Sequence, residues 1–385
     1  MKITHSNVRF RCPIGNTQIG SPNRVRRYDG RAINDKIVAL TYARWTTLKI
    51  MATAKKNVFV ISAIGYSGAT WVNLVLASHR NAFTIGLPNK LINIQPSEGA
   101  AACLVHDHNC KFWPPFIKAW DRDKNLYTQL ADYAGKDTIV VNNPIESKAR
   151  TDLLADELNV KYIRLVRDGR ANVVSYMRHH YADKPIDFAE PVRSWYLAKS
   201  ALRDQELPAD PACWTILKYE DLIYHPEDTL QQLSDFLGVK LPIDCLKYWQ
   251  TSHHPVEGNS GTIDALREVQ KLGRISHKRQ NYYDLVAKKT ALGLRTIDKS
   301  WERLLGDKER LAFDLLAGSL NERYGYNRDK VTGTLLSEGT SVENLCLEPK
   351  IYDFENKPSD IEIVNPGAEE SRLSRFMGKI FRRRH

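Results

Sequence analysis

Val58–Trp71 reads VFVISAIGYSGATW. Its opening run, Val58-Phe59-Val60-Ile61, is apolar and rich in β-branched residues, the composition of a buried strand. Gly65-Tyr66-Ser67-Gly68-Ala69-Thr70 breaks that run, and Trp71, Leu74 and Val75 then recur with helical spacing. A strand, a glycine-containing turn and a helix N-terminus gather backbone N–H groups around one point, and Ser67 and Thr70 add hydroxyls. That geometry suits an anionic phosphate, although an ordinary strand-to-helix turn shares the pattern. The ATP/GTP phosphate loop is excluded, because it needs Lys and then Ser or Thr after its second Gly, where this chain has Ala69-Thr70.

About a hundred residues later, Lys161–Met177 (KYIRLVRDGRANVVSYM) repeats the design. Tyr162–Val166 reads as a strand and Arg167 stands at its end. A helix carrying Val173, Val174 and Met177 follows, with Ser175 two turns in. A guanidinium is a forked, permanently charged donor for phosphate and a hydroxyl is another, while an Arg167–Asp168 surface ion pair is the alternative reading. Further strands are expected at Thr138–Val141 and Trp214–Lys218, with a helix around Ala149–Leu158. The alternation predicts an α/β fold, a parallel sheet flanked by helices with both phosphate motifs at the carboxyl ends of strands. Trp195 and Tyr196 read as packing residues.

The ordered pair of segments resembles the sulfotransferase family, whose members use 3′-phosphoadenosine 5′-phosphosulfate (PAPS). The first motif of that family aligns with Tyr66-Ser67-Gly68-Ala69-Thr70-Trp71, which the resemblance assigns, with Gly65, to the 5′-phosphosulfate. The second aligns with Arg167 and Ser175, assigned to the 3′-phosphate, with Gly169 where Pro is usual. Lys218-Tyr219-Glu220-Asp221-Leu222 and the helix after Pro226 are similar to a mainly structural block. Gly273-Arg274-Ile275-Ser276 and Tyr324-Gly325-Tyr326 are looser matches, and Arg274 is carried over as a further nucleotide contact. The likeness spans about residues 57–327 and implies a P-loop-like sulfotransferase fold. The donor would be PAPS, the product adenosine 3′,5′-bisphosphate, and no catalytic metal is implied.

Two departures bear on chemistry. Tyr66 stands where the family carries Lys or Arg, yet sulfuryl transfer builds negative charge on the bridging oxygen, which a fixed cation stabilises. Either Tyr66 takes part with a cation from elsewhere, Lys90, Lys111 or Lys148, or the chain binds its ligand without turnover. The family's Glu base is also missing from Thr84–Lys90, which leaves His106 or His108 as candidates to take the acceptor proton. The same stretch, Cys103, His106, His108 and Cys110, offers two thiolates and two imidazoles suited to structural zinc, against ordinary loop residues or a catalytic His.

Composition sets the outer bounds. With 385 residues and 42% hydrophobic content the chain can bury one large core. The start, MKITHSNVRFRC, lacks an apolar signal region and no stretch reaches a membrane span, so cytoplasmic residence is the expectation. A net charge of +11 favours anionic partners, but no nucleic-acid signature accompanies it. Residues 1–56 read as a basic extension with a lead-in helix over Ile37–Ala54, 57–327 as the catalytic domain, and 328–370 as a polar linker. In 371–385, Leu373, Phe376, Met377, Ile380 and Phe381 fall within an arc of about 140° if helical, opposite Arg372, Arg375, Lys379, Arg382 and Arg383. That basic amphipathic helix fits an anionic membrane surface, its own core, or a free tail.

These observations lead to a PAPS-dependent sulfotransferase acting on an acceptor hydroxyl, with a carbohydrate or lipid-linked substrate as the leading expectation. A non-catalytic binder of nucleotide or sulfated ligand and an atypical phosphotransferase are the alternatives.

Overall fold

The computed structural model describes residues 55–95, 103–144, 147–205, 208–273, 280–329, 345, 347–355 and 357–364. The expected lead-in helix, Arg274 and the amphipathic segment 371–385 lie outside the described residues.

Five parallel strands form one sheet in the order β2-β3-β1-β4-β5. They are β1 (Lys56–Ser62), β2 (Ala82–Gly86), β3 (Thr138–Asn142), β4 (Leu158–Val166) and β5 (Trp214–Lys218). Successive strand residues point to opposite faces, so burial of every residue from Val58 to Ile61 means that both faces of β1 are covered by protein. The helices that position the site are α1 (Ala69–Ala77), α2 (Trp113–Ala119), α3 (Leu126–Ala134), α4 (Gly169–His180), α5 (Ala189–Gln205), α6 (Ser260–Val269) and α7 (Asp307–Arg323). The α/β architecture expected from the alternation is therefore the observed one. Among the described residues, no helix is long and apolar enough to cross a membrane.

The main core joins the strands to α1, α2, α3 and α6, and a second apolar cluster joins α4, α5 and α7 through Val173, Met177, Trp195 and Phe313. This second cluster explains Gly169. A Cβ there would lie 2.6 Å from Phe313 and 2.7 Å from Trp195, so the first turn of α4 can approach α5 and α7 only without a side chain. Trp195 is a packing residue, 5.6 Å from Phe313 between ring centres, whereas Tyr196 is exposed. Lys199 is buried beside the same cluster, its Nζ 3.5 Å from the Leu165 carbonyl and 5.1 Å from the Tyr324 ring. Burial, reinforced by Arg164, pulls its ammonium down to about 7.

Two expectations need correction, and one strand was missed. The helix anticipated around Ala149–Leu158 spans only Ser147–Asp152, because Leu158 already opens β4. The edge strand β2, AFTIG, was not anticipated; five residues buried throughout carry no alternation to reveal them. The segment 328–370 is not a linker along its whole length: β7 (Ile361–Val364) pairs antiparallel with β6 (Arg295–Asp298), and Tyr352 and Ile361 are buried. Polar residues between the apolar contacts mask that docking in the sequence.

Candidate functional site

The chain leaves β1 for the β2 edge and later crosses to β4 on the other side, so the carboxyl end of β1 is the point where strand order reverses. Open α/β sheets bind ligands in the crevice at such a point. The loop Gly65–Gly68 lies there and leads into α1. Tyr66 (φ 67°) and Gly68 (φ 90°) are both left-handed, and no side chain caps the first turn of α1, so its N–H groups face the loop. Gly68 is also required sterically, since a Cβ would fall 2.5 Å from the Tyr219 ring.

The second segment closes onto this loop. Arg167 Nη1 donates to the Tyr66 carbonyl at 3.1 Å, and its guanidinium lies 5.0 Å from the Tyr219 ring centre. Asn172 Nδ2 donates to the Gly65 carbonyl at 3.1 Å and to Ser67 Oγ at 3.0 Å, with Ser67 buried. Ser175 follows three residues later on α4 and so shares the face of Asn172. Asp168 is not the ion-pair partner of Arg167. It caps α4 by accepting from the Arg170 N–H and pairs with the Arg170 guanidinium at 2.6 Å. Thr70 Oγ1 accepts from the Asn259 N–H at 2.9 Å, Trp71 meets Tyr219 edge to face at 5.4 Å, and Ala69 begins α1.

The block at 218–222 forms the floor. Glu220 accepts from the Asp168 N–H at 3.2 Å and from Tyr326 Oη at 2.5 Å, while Lys218 Nζ reaches the Gly325 carbonyl at 3.2 Å. Burial raises the Glu220 carboxyl despite these donors, and burial and Glu220 together raise the Tyr326 phenol. A cavity of about 300 Å³ opens beside Trp71 and Tyr219 and is also lined by Tyr248, Trp249 and Thr290.

Tyr66 is not solitary. Its Oη lies 2.8 Å from His180 Nε2, and the rings of Tyr176, His179 and His180 stand 5.9, 5.6 and 5.9 Å from its own. Burial, with the neighbouring Tyr176, holds the phenol above its ordinary range, so it stays protonated beside the imidazole. Asn172, Tyr176 and His180 were not singled out from sequence. Their spacing of four on one helix face was the available signal.

His106 and His108 do not join this group. His106 Nδ1 is 3.5 Å from Cys103 Sγ and its ring lies 4.6 Å from that of His254, while His108 is exposed in the short turn Asp107–Asn109. Their setting is the β2 flank: His254 stacks at 6.0 Å on Phe83, three residues or about 10 Å before the end of β2. Of the proposed substitute cations, Lys148 is engaged with Asp152 at 2.9 Å and with the Lys124 carbonyl.

An open parallel sheet with a left-handed glycine turn and an uncapped helix start at the end of its central strand is an α/β arrangement suited to an anion. Residues 120–242, a segment that holds Arg167 and Ser175, match the model described as the sulfotransferase family. The chain is similar in structure to the sulfotransferase domain of a Synechococcus olefin synthase, at 20% identity and TM-score 0.39 over 61% of this chain and 94% of that one. It is also similar to a mouse sulfotransferase complexed with PAP, at 12% identity and TM-score 0.37 over 77% and 93%. A comparison with curated protein sequences finds no match.

Proposed function

We propose that the protein transfers a sulfuryl group from PAPS to an acceptor hydroxyl. The observation that carries this reading is the reach of Arg167 and Asn172 onto the loop, which makes one cradle of two segments a hundred residues apart. The loop Gly65–Thr70 would hold the 5′-phosphosulfate on its N–H groups, and Arg167 with Ser175 the 3′-phosphate. The aromatic cavity beside Trp71 has the lining and size for the adenine.

In the reaction the acceptor oxygen forms a bond to sulfur as the bond from sulfur to the bridging phosphate oxygen breaks, giving a sulfate ester, adenosine 3′,5′-bisphosphate and one proton. With Tyr66 neutral and Arg167 given to the 3′-phosphate, the loop N–H groups carry the charge that develops on the bridging oxygen. Tyr66 passes its proton to His180 while accepting the acceptor's, so the pair serves as the base. The half-buried rings of Tyr66 and Tyr176 beside exposed His179 and His180 suit the apolar face of a sugar, which favours a carbohydrate acceptor.

Calorimetry with adenosine 3′,5′-bisphosphate and with ATP tests the nucleotide assignment. Binding of the bisphosphate in preference to ATP, lost in Arg167→Ala, is expected; equal or better binding of ATP would overturn it. Turnover of PAPS with a hydroxyl-acceptor panel then separates enzyme from binder.

A further inference from the structure

On the β2 edge, the fold assembles four metal-ligand atoms. The side chains of Cys103, His106, Cys110 and His254 each direct one ligand atom to a common point, all within 4.8 Å of one another. Zinc held tetrahedrally at about 2.3 Å from sulfur and 2.0–2.1 Å from nitrogen sets those ligand atoms about 3.6 Å apart. Here Cys103 Sγ is 3.5 Å from His106 Nδ1 and 4.0 Å from His254 Nδ1, and Cys110 Sγ is 3.4 Å from His254 Nδ1. Both cysteines are free thiols and both are buried.

The surroundings are those of a prepared site. The His254 Nε2 lies 3.3 Å from Ser252 Oγ, an oxygen able to accept its proton when Nδ1, which lies against the sulfurs, serves as a ligand. Phe112 stacks on the His254 ring at 5.1 Å, and Trp113 Nε1 donates to the His254 carbonyl at 2.9 Å. The His106 N–H points at Cys103 Sγ from 3.3 Å, a donor suited to thiolate charge.

We propose that Cys103, His106, Cys110 and His254 bind one structural Zn²⁺. Two thiolates and two imidazoles complete a tetrahedron, so no position is left for substrate and the ion acts as a staple. It joins the turn at 103–110 to a segment 144 residues beyond Cys110. That segment covers the β2 edge, where Val256 N–H donates to Ile85 and Glu257 bridges Gly86, and ends at Asn259, which supports Thr70 of the loop. His108, a ligand candidate by sequence, is replaced by His254, because the turn at Asp107–Asn109 leaves His108 exposed.

The test is elemental analysis of the untagged full chain, purified reduced and without added chelator. About one zinc per chain is expected. Cys110→Ser and His254→Ala should lower that content about tenfold or more, while His108→Ala retains it. Because a variant could misfold, the wild-type protein reconstituted with Co²⁺ gives an independent reading: intense visible bands of a tetrahedral site with thiolate charge transfer are expected. Absence of zinc after reconstitution with Zn²⁺ under reducing conditions, zinc loss in His108→Ala equal to that in His254→Ala, or a Cys103–Cys110 disulfide by mass spectrometry would each overturn the proposal.

Discussion

At the centre of the sheet, the loop after β1 is shaped by backbone conformation and by neighbours on the adjacent strand and helix: left-handed Tyr66 and Gly68, Tyr219 packed under Gly68, and Arg167 and Asn172 from the β4–α4 segment. At the β2 edge, the segment 252–259 is held by side chains that meet across about 150 residues of chain, through the cysteine–histidine cluster and the Trp113 bond to His254. The centre needs particular backbone angles and tolerates little added volume. The edge needs four side chains to converge and is indifferent to local conformation between them.

Substitutions separate the two. Gly68→Ala should have the largest effect, since it adds a Cβ against Tyr219 at a left-handed position; a loss of about 3 kcal/mol of stability by denaturant unfolding is expected, together with loss of bisphosphate binding. Arg167→Ala removes a charged donor from an intact loop, so bisphosphate affinity by calorimetry should fall about a hundredfold with unfolding little changed.

Lys199 tests the β4 side of the centre through pH. Its folded value of about 7 lies below that of an unfolded lysine, so the unfolded chain binds the proton first as pH falls. Stability from this group is therefore full above the unfolded value, declines as pH drops toward 7, and is flat below. Lys199→Met should raise stability by about 2 kcal/mol at neutral pH and reduce the pH slope between about 7 and 10; an unchanged slope would place the proton elsewhere.

Tyr66→Phe deletes only the hydroxyl bound to His180. Turnover with PAPS is expected to fall about tenfold with bisphosphate affinity unchanged, and His180→Ala should match it. The smallest effect is predicted for His108→Ala, within about 0.5 kcal/mol in stability and silent in turnover, because that imidazole is exposed at the edge. A large loss of turnover there would return the base to the β2 flank.

The central site was largely legible because its signals are local. A buried strand, a glycine turn and a helix start are contiguous in Val58–Trp71, and Arg167 stands directly after its strand in the second segment. The reach of Asn172 and His180 was hidden in plain helical spacing, where polar residues on an exposed-looking face carry no mark of what lies opposite. At the edge, Cys103, His106 and Cys110 were visible as a group, but the fourth member was assigned to the nearest histidine instead of His254. Sequence distance is a poor guide once a turn faces its side chains outward.

By itself the sequence determined the α/β class, the two strand–turn–helix segments and the absence of a cation at position 66, because each follows from periodicity, turn chemistry or residue type over a few neighbouring positions. Only the tertiary structure decided which residues share a space: Tyr219 beneath Gly68, His180 against Tyr66, and His254 among the cysteines. Those meetings depend on how helices cross and where loops return, and such long-range packing is set by the whole core instead of by any local pattern.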